Sequence, residues 1–554
     1  MMGARFVRFL VGVVSILSFS LIHAKQFQTV LQEIADEQQQ SYSLEVQKAK
    51  KVETKKYEWP EICNQAKDAV VQVTAYTNVP HIFSPFRTPD RSGNGGSGFL
   101  ISSDGYILTN YHVVRHAVFV CIRFPGIGKE NFPVEVIGCC PERDVALLRI
   151  LPETIQSVTT LLGVPTLPYL NLGDSDVIDH SEYLMALGYP LNVENLKSSI
   201  GVYSGKETLE IGECLQTSTP INPGNSGGPF FVQTGDVIGL CVLKLLETEG
   251  MAYIIPINNV KLILKDLAAQ KIVRLPCWGL TVQPSTLASA KKRGYPADGG
   301  VIITAVEKRS IFDKHGIKKG DLLYQVGAEK LDCYGYMKTS WSAEKTYFED
   351  VLARHKFGSS VPLTICRDGN LIDVTIEITS KERDAIDWFH PWIEPDLDYE
   401  VFAGMVIVES TLNHIEALKK AQARRTIVGD DFSMPPVLKY GESKNRTEPR
   451  LLMPELFPDS QVHKALEKAK SIEMFDIVIS KVNGIPVKTI DEFRDAVLQS
   501  VGQEFLTIET EGGTFVDLFV SEIVKEEDKL AQIYGFEKSD LMVALEQGIA
   551  APAA

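Results

Sequence analysis

Short hydrophobic runs separated by turn residues fill the chain from about Tyr57 onward. Eleven of these runs fall before residue 258, among them AVVQVTAY, VFVCIRF, VALLRI and VIGLCVLK. Several alternate apolar and polar positions or are rich in β-branched residues, and Gly, Pro, Asn or Asp stand between them. So many short strands predict closed antiparallel barrels or a sandwich. The spacing of NNVKLILKDLAAQK predicts a helix over 258–271 that closes this domain, which we place at 57–272.

A looser pattern occurs twice in the second half of the chain. In each copy a strand precedes a strand-turn unit, a helix follows, and a hairpin ends the unit. This repeat predicts two α+β domains, at 277–382 and 388–525. The second copy carries an insertion at about 411–470, whose stretch GDDFSMPPVLKYGESKNRTEPR is typical of an exposed loop. We interpret residues 526–554 as a C-terminal tail.

The first 24 residues have the pattern of an export signal. Arg5 and Arg8 precede an apolar run, Phe9–Ile22, and HAK offers a cleavage site after Ala24. The run is shorter than the roughly 20 residues that span a bilayer. We therefore expect an exported protein, periplasmic first, with secretion or an uncleaved N-terminal anchor as alternatives. The polar residues 25–56 predict a flexible lead-in.

Charge and cysteine usage exclude several classes of function. A net charge of −15 argues against a general nucleic-acid binder, which needs a basic face. The nine cysteines include no CxxC pair and no His/Cys cluster, so the sequence predicts neither a metal site nor a cofactor. A fold that depends on disulfides is not expected either.

One serine stands in an unusual setting, the stretch INPGNSGGPFF. Ser226 is either part of a tight turn or a nucleophile whose neighbouring glycines let backbone amides converge on one point. A serine nucleophile needs a general base. His112, at the end of a strand-like segment, is the candidate base, with His116 as a possible decoy, and Asp144 before VALLRI is the candidate orienting acid.

Each of these three residues also has an ordinary structural interpretation. A histidine at a strand end is more often structural than catalytic, and an aspartate before a strand is often an exposed turn residue. The chain order His112, Asp144, Ser226 is nevertheless that of chymotrypsin-type barrels. Three weak signals in that order within one all-β domain indicate a catalytic triad.

The motifs TNYHVV, RDVALLRI, NLGDSD, ALGYP and PINPGNSGGPFF resemble those of the Deg/HtrA family of serine proteases. The resemblance covers most of residues 60–525. It implies a mainly β fold, with a chymotrypsin-like double antiparallel β-barrel followed by two α+β PDZ-like domains. It also implies that His112, Asp144 and Ser226 are the triad and that Gly224, Asn225 and Ser226 form the oxyanion hole. A short loop after the first strand, together with FAGMVIVES, is more similar to the plant organellar Deg branch than to the best-known bacterial members.

The same resemblance implies a primary specificity pocket beside the nucleophile. Its residues would be Ile221 and the strand residues Leu240, Cys241 and Val242. Since no acidic residue stands there to receive Lys or Arg, we expect small or medium aliphatic residues at the cleaved position.

The first repeat resembles a PDZ domain, which binds an extended peptide by strand addition and holds its carboxylate in a loop of amides. CWGLTV fits that loop, with Trp278, Gly279 and Leu280 as its residues, although Trp278 fits ordinary core packing equally well. In the second repeat FAGMVI puts Gly404 at the matching place. Because of the insertion, a structural or assembly role for that domain is at least as plausible as peptide binding.

Together these features predict an ATP-independent endopeptidase that degrades unfolded or damaged exported proteins. C-terminal peptide tails would bind at the first PDZ domain, and the resemblance implies a homotrimer or a multiple of one. Tyr57 and Trp59 are available for such contacts or for the core. Two alternatives remain open: a chaperone or holdase with minor proteolysis, and a regulatory protease that cuts one signalling substrate.

Overall fold

The computed structural model describes residues 55–242, 251–296, 298–391, 393–428, 436–458, 460–468 and 477–550. The predicted signal peptide and the lead-in as far as residue 54 lie outside the described residues. The described chain is mainly β, as predicted. It consists of two closed barrels, two larger open sheets and one two-stranded sheet.

Residues 70–256 form two closed antiparallel barrels, the chymotrypsin-like arrangement that the sequence predicted. Their strands are β1 (Val70–Val79), β2 (Asp90–Leu100), β3 (Tyr106–Thr109), β4 (Ala117–Arg123), β5 (Phe132–Cys140), β6 (Val145–Ile150), β7 (Tyr183–Gly188), β8 (Lys197–Leu209), β9 (Gly212–Thr217), β10 (Pro229–Phe231), β11 (Val237–Val242) and β12 (Ala252–Pro256). The order is β1-β2-β3-β6-β5-β4 in the first barrel and β10-β11-β12-β9-β8-β7 in the second.

Apolar side chains form one core inside each barrel and a third core between the barrels. Alternation along the strands divides the residues among these cores. Val71 and Val73 of β1 point into the first barrel, whereas Val70 joins the core between the barrels. In β10, Phe230 fills the second barrel and Phe231 joins the core between them. The two barrels are therefore held against each other by a continuous hydrophobic surface.

Four helices accompany the barrels: α1 (Trp59–Ala66), α2 (Tyr111–Val114), α3 (Pro152–Leu162) and α4 (Ile257–Ala269). Helix α4 is the predicted closing helix, and its apolar face packs into the core between the barrels. Tyr57 and Trp59 are half-buried against that same core. In the described part of the chain, no helix combines the length and the apolar character needed to span a membrane.

The next unit is a sheet with an open edge. Its strands are β13 (Leu280–Pro284), β14 (Val301–Val306), β15 (Leu322–Val326), β16 (Glu329–Lys330), β19 (Ser360–Arg367) and β20 (Asn370–Glu377), with a separate hairpin of β17 (Tyr336–Thr339) and β18 (Ser342–Tyr347). Its helices are α5 (Leu287–Arg293), α6 (Ile311–Lys314) and α7 (Phe348–Leu352). The order is β13-β14-β15-β19-β20, which leaves β13 at the edge.

The last unit repeats this order with one extra strand. Its strands are β21 (Tyr399–Phe402), β22 (Met405–Glu409), β23 (Leu451–Leu456), β24 (Val478–Val482), β25 (Ile485–Pro486), β26 (Phe505–Thr510) and β27 (Phe515–Phe519). Its helices are α8 (Leu412–Val428), α9 (Gln461–Lys468), α10 (Ile490–Leu498), α11 (Val520–Tyr534) and α12 (Asp540–Ala550). The order β21-β22-β23-β24-β26-β27 matches the preceding unit from β22 onward.

The insertion in the second repeat is shorter than the sequence indicated. Within 411–470, β23 and α9 correspond to β14 and α6 of the first repeat and belong to the common sheet-and-helix pattern. Pro454 interrupts the apolar run of β23, and for this reason the run does not look like a strand. The stretch interpreted as an exposed loop also buries Leu438 and Tyr440.

The predicted C-terminal tail is folded, contrary to expectation, as far as residue 550. Helices α11 and α12 bury Ile523, Met542 and Leu545 in the core of the second repeat. The apolar positions recur at helical spacing, but the many charged residues between them masked this pattern in the sequence. Residues 551–554 lie outside the described residues.

The first repeat is joined to the second barrel by a buried ion cluster. The Arg354 guanidinium, two residues beyond α7, lies 2.6 Å from Asp176 and 2.9 Å from Glu213. All three side chains are at most 10% exposed. Because unpairing a buried charge is costly, these contacts fix the orientation of the first repeat on the barrel.

The second repeat holds the loop between β1 and β2 of the first barrel. Nε2 of His414, in α8, donates a hydrogen bond of 2.8 Å to the carbonyl of Ile82. Arg87 of the loop pairs with Glu455 at 2.5 Å. Phe86 lies edge-on to Phe457. The loop is thus bound by a buried histidine, an ion pair and an aromatic contact.

The buried His414 makes stability depend on pH. Burial lowers the pKa of His414 to about 4, from an ordinary value of 6.5. The hydrogen bond to Ile82 raises the pKa, but burial is the larger effect. Below pH 6.5 the unfolded chain binds a proton there that the folded chain does not. The free energy of unfolding should therefore fall as the pH drops from 6.5 to 4, by about 3 kcal/mol from this residue. Urea unfolding of wild type and His414→Gln at several pH values measures this difference, and equal pH slopes in the two proteins would contradict it.

Candidate active site

His112 and Asp144 form a hydrogen-bonded pair at one end of the first barrel. Helix α2 carries His112 directly after β3, and Asp144 stands immediately before β6. The two ring-to-carboxylate atoms, His112 Nδ1 and Asp144 Oδ2, are 2.7 Å apart. The other carboxylate oxygen accepts the main-chain N–H of His112 at 2.8 Å. The carboxylate therefore fixes both the backbone and the ring of the histidine, and Nε2 is the ring nitrogen left for a proton transfer.

Asp144 is itself fixed by its backbone. It adopts a left-handed conformation, with φ of 54°, at the end of a short 3-10 turn. Aspartate is one of the few residues that enter this region readily. Its carbonyl accepts hydrogen bonds from the Tyr111 N–H at 3.2 Å and from the Asn110 side chain at 3.0 Å. The Asp144 side chain is only 10% exposed, while that of His112 is 42% exposed. The acid is buried behind the base, and the base faces the solvent.

The second barrel supplies Ser226, which is 3% exposed. The carbonyl of Ser226 accepts the N–H of Ser97 on β2, at 2.8 Å. A Cβ placed on Gly96 would lie 2.6 Å from the side chain of Val113 and 3.2 Å from the Ser226 carbonyl. The backbone of Ser226 and the side chain of Val113 thus both lie against Gly96. The structure brings the three predicted residues to one seam between the barrels.

The loop before Ser226 has the features of a type II turn. Gly224 has a φ of 98°, and the N–H of Asn225 bonds to the carbonyl of Asn222 at 3.0 Å. A glycine with positive φ after a proline is typical of this turn. The Pro223 carbonyl accepts the N–H of Leu191 at 2.5 Å. In a trans peptide the following N–H points the opposite way, and within the described part of the chain the Gly224 N–H has no acceptor.

An amide held in this way can stabilise an oxyanion, and Gly224 stands where the sequence placed that role. Asn225, the second predicted residue of the loop, is 5% exposed, and its carbonyl accepts the N–H of Gly228 at 2.9 Å. The loop is therefore rigid on both sides of Ser226.

The four predicted pocket residues, Ile221 and three consecutive residues of β11, divide between two apolar clusters. Ile221 and Cys241 belong to the apolar cluster inside the second barrel. Leu240 and Val242 belong instead to the core between the barrels. Only the first two therefore share a surface, although all four surroundings are apolar. Because β11 alternates its side chains, neighbouring residues of one strand cannot all line one pocket.

The predicted carboxylate loop of the first repeat has tight backbone geometry. Gly279 has a φ of 68°, and a Cβ there would lie 2.4 Å from the Ser310 side chain, so this position requires glycine. Trp278 and Leu280 are half-buried against the core of this domain, and the Trp278 ring contacts Phe312. Trp278 therefore has a packing role in the structure. Gly404 in the second repeat has a φ of 79° and a similarly close neighbour, Ser460.

The other histidine considered from the sequence, His116, lies at the end of the α2 segment with a φ of 63°. Burial lowers its pKa to about 4, and neighbouring positive charge adds to the effect. Its Nδ1 has no partner within the described residues. In the part of the chain that the structure describes, no acidic side chain bonds to this ring as Asp144 does to that of His112.

Sequence reasoning missed two residues that shape the site, Asn110 and Ser97. Asn110 stands in the TNYH stretch. The local sequence does not indicate its hydrogen bond to the carbonyl of Asp144, which lies 34 residues later. Ser97 looks like one small residue in a glycine-rich strand. No cluster of three potential metal ligands occurs among the described residues.

Comparison with known proteins matches two parts of the chain to described domains. Residues 96–240 match the trypsin-like peptidase domain, and residues 279–378 match the PDZ domain. The first match contains all three predicted triad residues.

Similar proteins include a serine protease named HhoB from Synechocystis, 31% identical over 43% of this chain and 58% of that protein. A DegP-like periplasmic serine endoprotease from Chlamydia trachomatis is 27% identical over 53% of this chain and 55% of that protein. The chain thus spans a little over half the length of these relatives. A solved HtrA-type protease, AlgW with a decapeptide, is 21% identical with a TM-score of 0.45, covering 59% of this chain and all of that one.

Substitution of Asp144 tests the role of the pair. Asp144→Asn keeps a residue that tolerates the left-handed backbone but removes the charge that fixes the imidazole tautomer. We expect kcat for peptide hydrolysis to fall by roughly 10³–10⁴-fold with the fold intact, as circular dichroism would show. His116→Asn, also at a positive φ, is the matched control and should retain activity. Equal activities of the two variants would contradict the assignment.

Proposed function

Because the chain carries a trypsin-like peptidase domain followed by a PDZ domain, as Deg/HtrA serine proteases do, we propose that it is an ATP-independent serine endopeptidase. Its substrates are unfolded or damaged exported proteins. The observation that carries this proposal is the His112–Asp144 pair, whose ring and carboxylate atoms are 2.7 Å apart, beside the turn that presents Ser226.

The chemistry follows from the positions of these groups. Ser226 Oγ attacks the scissile carbonyl while His112 Nε2 accepts its proton, and the imidazolium is stabilised by Asp144. The negative oxygen that forms is stabilised by the amides of Gly224 and Ser226. His112 then returns the proton to the leaving amine, and water hydrolyses the acyl-serine by the same proton transfers. No nucleotide takes part in these steps.

Substrate preference is set by the apolar surface beside Ser226. Ile221 and Cys241 share the cluster inside the second barrel, and neither offers a negative charge to a cationic side chain. We propose that small or medium aliphatic residues such as Val, Ala or Leu precede the cleaved bond.

Tail binding is assigned to the first PDZ domain. Strand β13 is the edge of its sheet and pairs only with β14 among the described strands. Leu280 and Val282 of β13 pack against the same apolar cluster as Phe348 and Leu352 of α7. A C-terminal peptide can add to β13 as a further antiparallel strand, with its carboxylate at the Gly279 loop.

Location and assembly are carried over from the relatives. Two proteins of similar sequence are named as periplasmic serine endoproteases, which supports export of this chain. We propose the periplasm as its compartment. Assembly as a homotrimer, or a multiple of one, follows from the resemblance to the Deg/HtrA family.

Degradation of a permanently unfolded protein tests this function. Wild type should cut reduced casein in buffer without ATP, and Ser226→Ala should lower the rate by roughly 10⁴–10⁶-fold because the nucleophile is lost. Mass spectrometry of the products should place Val, Ala or Leu before most cut bonds.

Three results distinguish the alternatives. Cleavage mainly after Lys or Arg would refute the proposed specificity. A Ser226→Ala protein that still suppresses aggregation would show an additional holdase activity. A wild-type enzyme that leaves unfolded proteins uncut would contradict the quality-control function.

A further inference from the structure

Ser97 connects four segments around the nucleophile. Its side chain is fully buried on β2, and its main-chain N–H donates to the Ser226 carbonyl at 2.8 Å. Its carbonyl accepts the hydroxyl of Thr109, three residues before His112, at 2.7 Å. Its own hydroxyl donates to the Gly224 carbonyl at 2.7 Å and accepts the N–H of Tyr189 at 2.9 Å. Every polar group of Ser97 is therefore used: two partners lie in the Ser226 loop, one on β3 and one just after β7.

The space around this hydroxyl is closed by two glycines. A Cβ on Gly188 would lie 2.8 Å from Ser97 Oγ, and a Cβ on Gly228 would lie 3.3 Å from Ser97 Cβ. A larger side chain does not fit there without movement of the backbone. Alanine fits, but it leaves the Gly224 carbonyl and the Tyr189 N–H without their partner in a buried site.

The two bonds of this hydroxyl hold residues on either side of the Pro223–Gly224 peptide group. The Gly224 carbonyl lies on one side of the Pro223–Gly224 peptide, and the Pro223 carbonyl is held by Leu191, two residues after Tyr189. Ser97 thus links the segment that holds the Pro223 carbonyl to Gly224, the third residue of the four-residue turn. Type I and type II turns differ by rotation of this central peptide. That rotation would carry the Gly224 N–H away from the developing oxyanion.

We propose that Ser97 is a positioning residue, which holds the oxyanion loop in the turn that aims the Gly224 amide at the reacting carbonyl. This inference rests on the proposed protease function. The Ser97 hydroxyl is fully buried and bonds to Gly224 and Tyr189, so its effect should fall on transition-state stabilisation and leave ground-state binding and proton transfer unchanged.

Ser97→Ala tests the proposal with a readout that general destabilisation would not give. Below the melting temperature of the variant, kcat for a chromogenic peptide should fall about 10–100-fold, less than the 10²–10³-fold typical of losing an oxyanion donor outright. KM and the pH at which activity falls to half should match wild type. Ser102→Ala is the control, because Ser102 lies just beyond β2 and its buried hydroxyl has no partner among the described residues.

Unchanged kcat in Ser97→Ala, or a rise of KM alone, would overturn the positioning role. A fall of kcat equal to that of Ser102→Ala would also overturn it. These results leave the protease function intact, since wild type still cuts the peptide. A wild-type protein that neither cuts the peptide nor reacts with a serine-directed phosphonate would instead contradict the proposed function.

A separate observation concerns the second PDZ-like domain, whose peptide-binding edge is occupied. Strand β22 takes the place that β13 has in the first domain. The match is close: Glu307 N–H bonds to the Gly279 carbonyl at 2.7 Å, and Phe457 N–H bonds to that of Gly404 at 2.8 Å. Yet β22 pairs with β23 on one side and with β21 on the other, so its edge is not open.

An arginine of α10 holds β21 in this position. The Arg494 guanidinium makes two contacts of 2.8 Å with Asp398 and one of 3.0 Å with Glu400, which is fully buried. It also donates to the Tyr399 carbonyl at 3.1 Å. Helix α10 is the counterpart of α7, which packs beside the open edge of the first domain. We infer that β21 fills the second groove from within the chain, so peptide tails bind only to the first domain.

A disulfide across the paired strands tests this inference. Val401 and Val406 are direct partners, at a Cα spacing of about 4.5–5.5 Å that suits a disulfide. In Val401→Cys/Val406→Cys, the oxidised and reduced proteins should bind the same number of molecules of a fluorescent decapeptide ending in leucine. Amides of 399–409 should exchange slowly with or without that peptide. The pair Thr507→Cys/Asp517→Cys, in β26 and β27, is the matched control.

Loss of a binding site on oxidation of the first pair but not of the control pair would overturn the inference. Fast amide exchange in β21, or protection of β22 gained on adding the peptide, would overturn it as well.

Discussion

The site depends on one carboxylate that is bonded to the backbone and the ring of the same histidine. Asp144 accepts the main-chain N–H and the Nδ1–H of His112 on its two carboxylate oxygens. Its main-chain carbonyl accepts hydrogen bonds from Asn110 and Tyr111, the two residues before His112. The left-handed backbone of Asp144 makes this possible, because it turns the chain sharply between the 3-10 turn and β6. The base is thereby oriented by the first barrel alone.

The proposed nucleophile, Ser226, comes from the other barrel, so the proposed site exists only where the two barrels meet. The hydrophobic core between them supplies the non-directional attraction. Direction comes from hydrogen bonds across the seam, above all those of Ser97 to the Ser226 loop and to Tyr189. Glycines at 96, 188 and 228 let the backbones approach this closely. The packed core and a few buried hydrogen bonds together align the two barrels at the site.

Both repeats and the segment between them contact the first barrel. Arg143, the neighbour of Asp144, donates to the carbonyl of Ala353 at the end of α7. Tyr111, the neighbour of His112, lies 3.1 Å from His390 in the segment between the two repeats. The second repeat holds the loop that leads into β2, the strand that carries Ser97. The barrel that carries His112 and Asp144 is therefore contacted by both repeats and by the segment between them.

The sequence predicted the features that local patterns determine. Alternating strands gave the barrels, and the residue types around Ser226, His112 and Asp144 gave the candidate triad. Contacts between distant segments have no such pattern. The hydroxyl of Ser97 gains its partners only when β2, β7 and the Ser226 loop meet, and no local signal marks it. Likewise, the sequence of β21 does not indicate that this strand pairs with β22. The charged residues of α11 made its sequence resemble an exposed tail, although the helix has a buried face.

In the proposed mechanism, His112 makes Ser226 nucleophilic by accepting its hydroxyl proton. Reaction of the purified protein with a fluorophosphonate, followed by peptide mass spectrometry, tests it most directly. One modified residue, Ser226, is expected, with labelling lost in His112→Ala. Modification of other serines at the same rate, or undiminished labelling of Ser226 in His112→Ala, would contradict it.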